Sequence, residues 1–312
     1  MKKYGFGVDL GGTTVKMGLF ETDGKLLDKW EIKTNTTNNG ESILGDIAKA
    51  IDDKLTEKSI SKDDVQGVGI DVPGPVTGKG IVNKCVNLGW GVKDVVKELG
   101  DLTGLTVKVG NDANIAALGE MWQGAGKGCD NVVMVTLGTG VGGGIIVDGQ
   151  VVAGAHGAGG EIGHIKVSDN ETEKCGCGKC GCLEQYASAT GIVRVAKKRL
   201  AASDEKTSLR NFQELTAKDI FDEAKANDAV AVSVVEEVMK MLGEAIANIS
   251  AVVDPEVVVI GGGVSKAGSI ITDTVAKYFR AAAFHACRET RFVIAELGND
   301  AGIYGGIKLI ID

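Results

Sequence analysis

One pattern occurs twice in this chain and constrains its fold more than any other feature. Residues 4–10 and 15–21 read as strands around Gly11-Gly12-Thr13-Thr14, and Asp23-Gly24 then turns the chain into a third strand, Leu26–Lys33. The order returns further along. Asn131–Thr136 and Gly142–Val147 flank Leu137-Gly138-Thr139-Gly140-Val141, and Asp148-Gly149 leads into Gln150–Ala153. Strand, Gly/Thr-rich turn, strand, Asp-Gly turn, strand, given twice, predicts a duplicated α/β unit with one copy in each of two lobes. A length of 312 residues agrees with two domains of roughly 150.

The stretches between these turns predict the rest of the lobes. Helical spacing marks Ser42–Lys58, with Ile43, Leu44, Ile47, Ala50, Ile51 and Leu55 on one face. Gln66–Val72 is an apolar strand running into Pro73-Gly74-Pro75, Val92–Leu99 a short helix, and Leu105–Val109 a strand. Asn111-Asp112 follows that strand and precedes a helix, Ala113–Trp122. Further helices are predicted at Ala187–Ala202, Thr216–Ala226 and Ala229–Val253, the last with Val230, Val234, Val238, Met241, Ala245 and Ile249 as its stripe. Val257–Ile260 is a strand ending in Gly261-Gly262-Gly263, and Ala301–Ile311 a final helix.

Composition excludes several classes. Glycine takes 46 of 312 positions, about twice the usual share of roughly 7%, while proline takes only 3. Because those glycines lie inside apolar, strand-like segments, they imply backbone brought close to a ligand or to other backbone. Lys plus Arg is 34 and Asp plus Glu is 42, so the net charge is 34 − 42 = −8, with no footprint for non-specific nucleic-acid binding. No apolar run nears the roughly 18 residues of a membrane span. Asp9 and the early glycines break the N-terminal stretch before a signal-peptide core forms. A cytoplasmic protein is expected, with no membrane partner. Four of the seven cysteines fall within residues 175–182, and such clustering favours a metal site over a disulfide framework.

The chemistry concentrates at the turns. Asp9-Leu10-Gly11-Gly12-Thr13-Thr14-Val15-Lys16 puts a carboxylate at a strand end and glycines in a tight turn, where backbone N–H groups and Thr hydroxyls can meet an anion. Leu137–Gly144 repeats that chemistry, and Gly261–Gly263 is a third turn after a buried strand, a candidate nucleoside site. Each turn alone is also what an ordinary hairpin carries. None is a GxxxxGK[ST] loop, and neither of the first two opens a helix as a Rossmann site does.

In this order the three turns resemble the actin-like ATPase fold of sugar kinases. Gly157-Ala158-Gly159-Gly160-Glu161-Ile162-Gly163-His164 and Cys175-Gly176-Cys177-Gly178-Lys179-Cys180-Gly181-Cys182-Leu183-Glu184 are similar to the ROK family (repressors, open reading frames, kinases), as is Asp254-Pro255-Glu256 leading to Val264-Ser265. The resemblance covers essentially the whole chain. It implies an α/β, duplicated actin-like (ribonuclease H-like) fold of two lobes with a cleft between them. The expected lobes are residues 1–112 with 301–312, and 113–300 carrying the cysteine loop. It also implies ATP-dependent phosphorylation of glucose at its 6-hydroxyl, with another hexose or N-acetylhexosamine as the alternative substrate. A DNA-binding repressor of the family would need a helix-turn-helix segment ahead of the turn at Asp9.

The resemblance distributes roles as follows. Asp112 is the base and Asn111 binds sugar hydroxyls, although Asn111 or Asp112 could instead simply cap the next helix. Glu161, His164 and Glu184 complete the sugar site, and Gly74 offers backbone to the sugar or is only a rigid turn. Asp9, Gly11, Gly12, Thr13, Thr14, Lys16, Gly138, Thr139, Gly140, Gly261, Gly262 and Gly263 serve the cofactor, ATP with Mg2+. Asp9 either orients magnesium through water or holds the first turn, and Lys16 reaches a phosphate or is a solvated surface residue. A structural Zn2+ takes His164, Cys175, Cys177 and Cys182, with Cys180 as a rival to His164 in a four-cysteine site. A homodimer or homotetramer is implied.

Overall fold

The computed structural model of the chain describes residues 2–312. Strands β1 (Tyr4–Leu10), β2 (Thr14–Glu21) and β3 (Leu26–Lys33) form the expected antiparallel meander, with Asp9 opposite Lys16 and Leu10 opposite Val15 across the Gly/Thr turn. Next come α1 (Ile43–Lys58), β4 (Val65–Val72), the two-residue strands β5 (Ile81–Val82) and β6 (Lys93–Asp94), α2 (Val95–Thr103), β7 (Val107–Asn111) and α3 (Asp112–Gln123). β4 runs parallel to β1, and β7 parallel to β4, in a sheet ordered β3-β2-β1-β4-β7.

The plan then repeats. β8 (Val132–Leu137), β9 (Val141–Val147) and β10 (Gln150–Val151) precede α4 (Glu184–Ala187), α5 (Ala189–Ala202), α6 (Ala217–Lys225) and α7 (Ala229–Val253). β11 (Val257–Gly261), α8 (Ser269–Ala282), β12 (Arg291–Ile294) and α9 (Ala301–Ile311) complete the chain. The second sheet has the order β10-β9-β8-β11-β12, with β11 parallel to both β8 and β12. Position for position this is the order of the first sheet, so the duplication read in the sequence is the plan of the fold.

Two compact units divide the chain. One comprises Met1–Gly128, Gly144–Gly160 and Glu296–Asp312, the other Cys129–Gly143 and Glu161–Ala295. Beside the expected lobes of 1–112 with 301–312 and 113–300, the first unit also takes in α3 and residues 144–160. Helix α3 belongs there because it packs along α9.

Alternation along β1 and β4 organises the first unit. Phe6, Val8 and Leu10, with Val68, Ile70 and Val72, face a core shared with Ile47 and Ile51 of α1 and Val95 and Leu99 of α2. The opposite face carries almost no side chain, and α9 lies directly on it. A Cβ at Gly7 would stand 1.9 Å from the Ile303 carbonyl oxygen, and one at Gly69 only 1.8 Å from that of Gly306. Contact this close admits only glycine, which explains much of the glycine excess. The unit's first and last segments are also joined by a buried carboxylate. Glu120 of α3 accepts backbone N–H groups from Ala125 (2.9 Å), Glu296 (3.1 Å) and Leu297 (2.8 Å).

In the second unit α7 has the boundaries the sequence predicts, set by Asp228, whose side chain caps Val230 and Ala231, and by Asp254 in the left-handed region before Pro255. Its buried surface is wider than the predicted stripe. Val235, Met239, Leu242 and Ile246 are buried as well, whereas Met241 is only partly so.

The glycine contact yields a paired test. Gly69→Ala is expected to lower stability by about 1–3 kcal/mol, since a backbone carbonyl has to move to admit the methyl group. Gly45→Ala, on an exposed turn of α1 with open space around it, is expected to raise stability by up to about 1 kcal/mol. Urea midpoints of the two variants check both signs.

Candidate active site and metal cluster

In the first unit, the carboxylates gather where β1, β4 and β7 end. Asp9 is the penultimate residue of β1, and its Oδ2 lies 3.4 Å from Lys16 Nζ. Lys16 is not a free surface residue, because Nζ also donates to the Asn299 carbonyl at 2.8 Å. The turn is braced from within: Gly11 N–H donates to Thr14 O, the Thr34 hydroxyl to Gly11 O, and Thr34 N–H to Thr13 O. Gly12 and Thr13 remain exposed.

At the end of β7 the capping role falls to Asn111. Its Oδ1 accepts the N–H groups of Ala113 (3.0 Å) and Asn114 (3.2 Å), while its amide donates to the Gly74 carbonyl at 3.2 Å. Gly74 N–H donates to Val72 O, so both backbone groups of Gly74 are engaged inside this unit. Asp112 is then the first residue of α3, with Oδ1 accepting Ala113 N–H at 2.8 Å. A carboxylate there sits at the positive end of the helix dipole, which favours its ionised form.

Beside these lies a residue the sequence reading did not assign to the site. Asp71 of β4 is in register with Asp9 on one side and Gly110 on the other, and is buried. A carboxylate inside the apolar run Val68–Val72 is the signal that could have found it.

In the second unit, the second and third Gly turns meet. Gly261 pairs with Thr136 across β11 and β8, and Gly262, at φ 84°, lies so close to Leu137 that a Cβ would stand 2.5 Å from its carbonyl oxygen. Ala189 N–H donates to Gly138 O, and the Thr190 hydroxyl to Thr139 O, so the start of α5 holds the second turn. These elements border a cavity of about 540 Å³. Gly138, Thr139 and Gly263 line it, as do the apolar Phe221 and Val264 and the cationic Lys266. Gly261 and Gly262 shape the turn without lining the cavity. Thr216 and Phe221, which do line it, were read only as helix residues. A cavity lined by both apolar and Gly/Thr residues suits a flat base and a phosphate chain.

The remaining predicted residues lie along 161–184. Glu161 is exposed and precedes a single helical turn, Ile162–His164. His164 Nε2 is 4.0 Å from Glu161 Oε2, and its Nδ1 is 3.8 Å from Cys175 Sγ. Glu184 reaches two ways. Oε1 lies 3.6 Å from Cys175 Sγ, and Oε2 accepts Val141 N–H at 3.1 Å, filling the space a Cβ on Gly140 would need.

His164, Cys175, Cys177 and Cys182 offer ligand atoms that all lie within 4.8 Å of one another. Cys177 and Cys182 Sγ are 3.6 Å apart. A tetrahedral zinc with Zn–S bonds of about 2.3 Å has ligand–ligand edges of about 3.8 Å, so three thiols and one imidazole at these separations fit that ion. Cys180 is outside the cluster and turns towards the Thr172 carbonyl. Burial pushes the Cys182 and Cys175 thiols up, while the backbone N–H of Lys179 draws Cys177 down. Ion binding in place of the protons would relieve the first two.

The model of the ROK family matches residues 5–312. A glucokinase of Halalkalibacterium halodurans is 47% identical over 309 residues, covering 97% of this chain and 94% of the relative. A glucokinase of Thermotoga maritima is 38% identical, covering 97% and 96%. Among solved structures, a ROK family glucokinase from Streptomyces griseus in complex with glucose and AMPPNP superposes with a TM-score of 0.74 at 34% identity, covering 98% of each chain. With this match along nearly its whole length, two sheets of one topology and the cysteine–histidine cluster in its loop, the chain belongs to the ROK family.

Proposed function

We propose that this protein transfers the γ-phosphoryl group of ATP to the 6-hydroxyl of glucose. The observation that carries the reading is the Asn111–Asp112 step. Asn111 both caps α3 and is tied to Gly74, which holds Asp112 at the helix N-terminus, where its carboxylate would serve as the base. The likeness to glucokinases over nearly the whole chain supports glucose as the sugar.

Phosphoryl transfer has a loose transition state, so most of the work is positioning and charge placement. In the first unit, Asp112 accepts the proton of the attacking hydroxyl, Asn111 orients the sugar, and Gly74 serves by holding Asn111. The Gly11–Thr14 turn, with Asp9 and Lys16, meets the phosphates, with which magnesium would arrive. In the second unit, the cavity beside Gly138, Thr139 and Gly263 takes the nucleoside, with Gly140, Gly261 and Gly262 shaping its turns. Glu161 and Glu184 accept hydrogen bonds from the other hydroxyls, a task suited to carboxylates that each offer several lone pairs, and His164, with one ring nitrogen given to the metal, would donate its remaining N–H.

The cysteine cluster is structural in this reading. His164, Cys175, Cys177 and Cys182 would hold one Zn2+, which would join the helical turn at Ile162–His164 to the cysteine loop. Through His164 the ion would fix the orientation of one sugar-site residue.

Two experiments test these assignments. Asp112→Asn keeps the side chain's size and hydrogen-bonding reach but cannot take the proton. Its kcat is expected to fall at least about 10²-fold with glucose affinity nearly intact, whereas Glu161→Gln is expected mainly to weaken glucose binding. Steady-state kinetics over a hexose panel and calorimetric glucose titration separate the two effects, and a variant Asp112→Asn that retains most of its kcat would remove the base assignment. Elemental analysis is expected to find about one zinc per chain. Cys175→Ser and Cys182→Ser are expected to lose the ion and thermal stability together, and Cys180→Ser to keep both.

A further inference from the structure

Strands β1 and β4 carry the same five-residue pattern, Gly5-Phe6-Gly7-Val8-Asp9 and Gly67-Val68-Gly69-Ile70-Asp71. They run parallel, with Gly7 beside Gly69 and Asp9 beside Asp71. Alternation therefore puts both carboxyl groups on the face that α9 covers. Gly302 of α9 lies directly over the pair, since a Cβ there would stand 2.5 Å from Asp71 Oδ2 and 2.9 Å from Asp9 Cβ.

The two carboxyl groups differ in circumstance. The Asp9 side chain is 24% exposed and ion-paired with Lys16. Asp71 is 1% exposed, and neither of its oxygens has a hydrogen-bond partner. The charges facing Asp71 are Asp9 from β1 and Asp112 from α3. Its partner on β7 is Gly110, and α9 presents Gly302. Lys16, on β2, is engaged by Asp9 and the Asn299 carbonyl. An ionised Asp71 would be desolvated and flanked by two like charges, and an uncompensated buried charge of that kind is expelled in favour of its protonated form. Burial, and then the charges of Asp9 and Asp112, hold its pKa well above the usual carboxylate range, against a smaller opposing pull from the backbone at Leu10.

We propose that Asp71 works as a neutral carboxylic acid and is a positioning residue: its O–H donates to the Asp9 carboxylate, steadying Asp9 at the foot of the first Gly/Thr turn, and it adds no charge beside Asp112. Asp9 thus has two donors, Lys16 from the exposed side and Asp71 from the buried side. A charged Asp71 would repel both neighbours. An apolar residue in its place would leave Asp9 held from one side only.

The test uses two variants. Asp71→Asn keeps a neutral donor of the same shape, and Asp71→Ala leaves none. The infrared difference between the wild type and Asp71→Asn at pH 7 should show the carbonyl stretch of a protonated carboxylic acid in the wild type. Its absence overturns the proposal. Stability supplies a second, independent sign. Between the unfolded-state pKa of about 3.9 and the raised folded one, the folded protein keeps a proton that the unfolded chain releases. The folding equilibrium of the wild type should therefore fall relative to Asp71→Asn by about tenfold per pH unit as pH rises from 5. A pH-independent difference overturns the proposal.

The kinetic arm rests on the reading of the first turn as phosphate-binding, whereas the infrared and stability arms do not, so failure of that reading is distinguishable from failure of this one. Asp71→Ala should raise the KM for ATP about tenfold, the worth of one charge-assisted hydrogen bond, with the KM for glucose within about twofold. Asp71→Asn should recover most of the loss. An Asn variant as impaired as the Ala variant would mean that the charged form is needed and would overturn the proposal. If Asp71→Ala does not fold, the infrared and pH measurements, which use only the wild type and Asp71→Asn, still decide it.

Discussion

Helix α9 lies on β1 and β4 with backbone against backbone, and the arrangement of the first unit depends on that contact. The approach is possible because glycine occupies the facing positions on both sides, Gly7 and Gly69 in the strands and Gly302 and Gly306 in the helix. It also governs where charge can go. The glycine face of each strand continues into an aspartate, so the surface that lets the helix in ends in the two carboxyl groups at the site. Apolar side chains at the glycine positions would lift α9 from the sheet and uncover Asp71.

Charge in this unit is handled mainly by backbone and by helix ends. Glu120, fully buried, is satisfied by three backbone N–H groups and no cation. Asn111 takes the orphan N–H groups of α3, and Asp112 follows at the first helical position. Lys16 is the cation at Asp9, and it is anchored at its other side by a carbonyl. A site arranged this way has its dipoles in place before any substrate arrives, which is the main source of rate in a reaction where little covalent chemistry falls to the protein. In the second unit, Glu184 has a comparable economy of contacts, since one side chain meets both the Gly140–Val141 turn and the cysteine cluster.

Much of this was legible in the residues. The two meanders, the parallel strands after them and the full lengths of α7 and α9 follow from alternation, helical spacing and turn chemistry. The misplacements have local causes. The helix predicted from Val92 starts at Val95, because the Asp94 side chain takes the N–H of Lys97 and sets the cap there. The helix predicted from Ala187 starts at Ala189, because Ser188 is extended and caps α5 with its hydroxyl, and the four-residue α4 before it went unread. Helix α8 and the four-residue β12 went unread, the latter too short for alternation to register. Of the four clustered cysteines, spacing alone left Cys180 open, and only the path of the loop turns it towards Thr172. Asp71 was missed as a site residue because a single carboxylate in an apolar strand has no meaning until the neighbouring strand is known.

The position of α9 in the chain has a consequence for how the protein is made. The helix that covers the first sheet is encoded after the whole of the second unit, so β1, β4 and β7 emerge during synthesis with their glycine face bare and Asp71 open to water. The first unit cannot close until residues 301–311 arrive, and its native contacts join the two ends of the chain. The second unit, made of residues 129–143 and 161–295, has no such wait. Assembly is therefore ordered against the direction of synthesis, with the later unit free to fold before the earlier one. Asp71 acquires its buried setting only in the last step, when the final helix covers it.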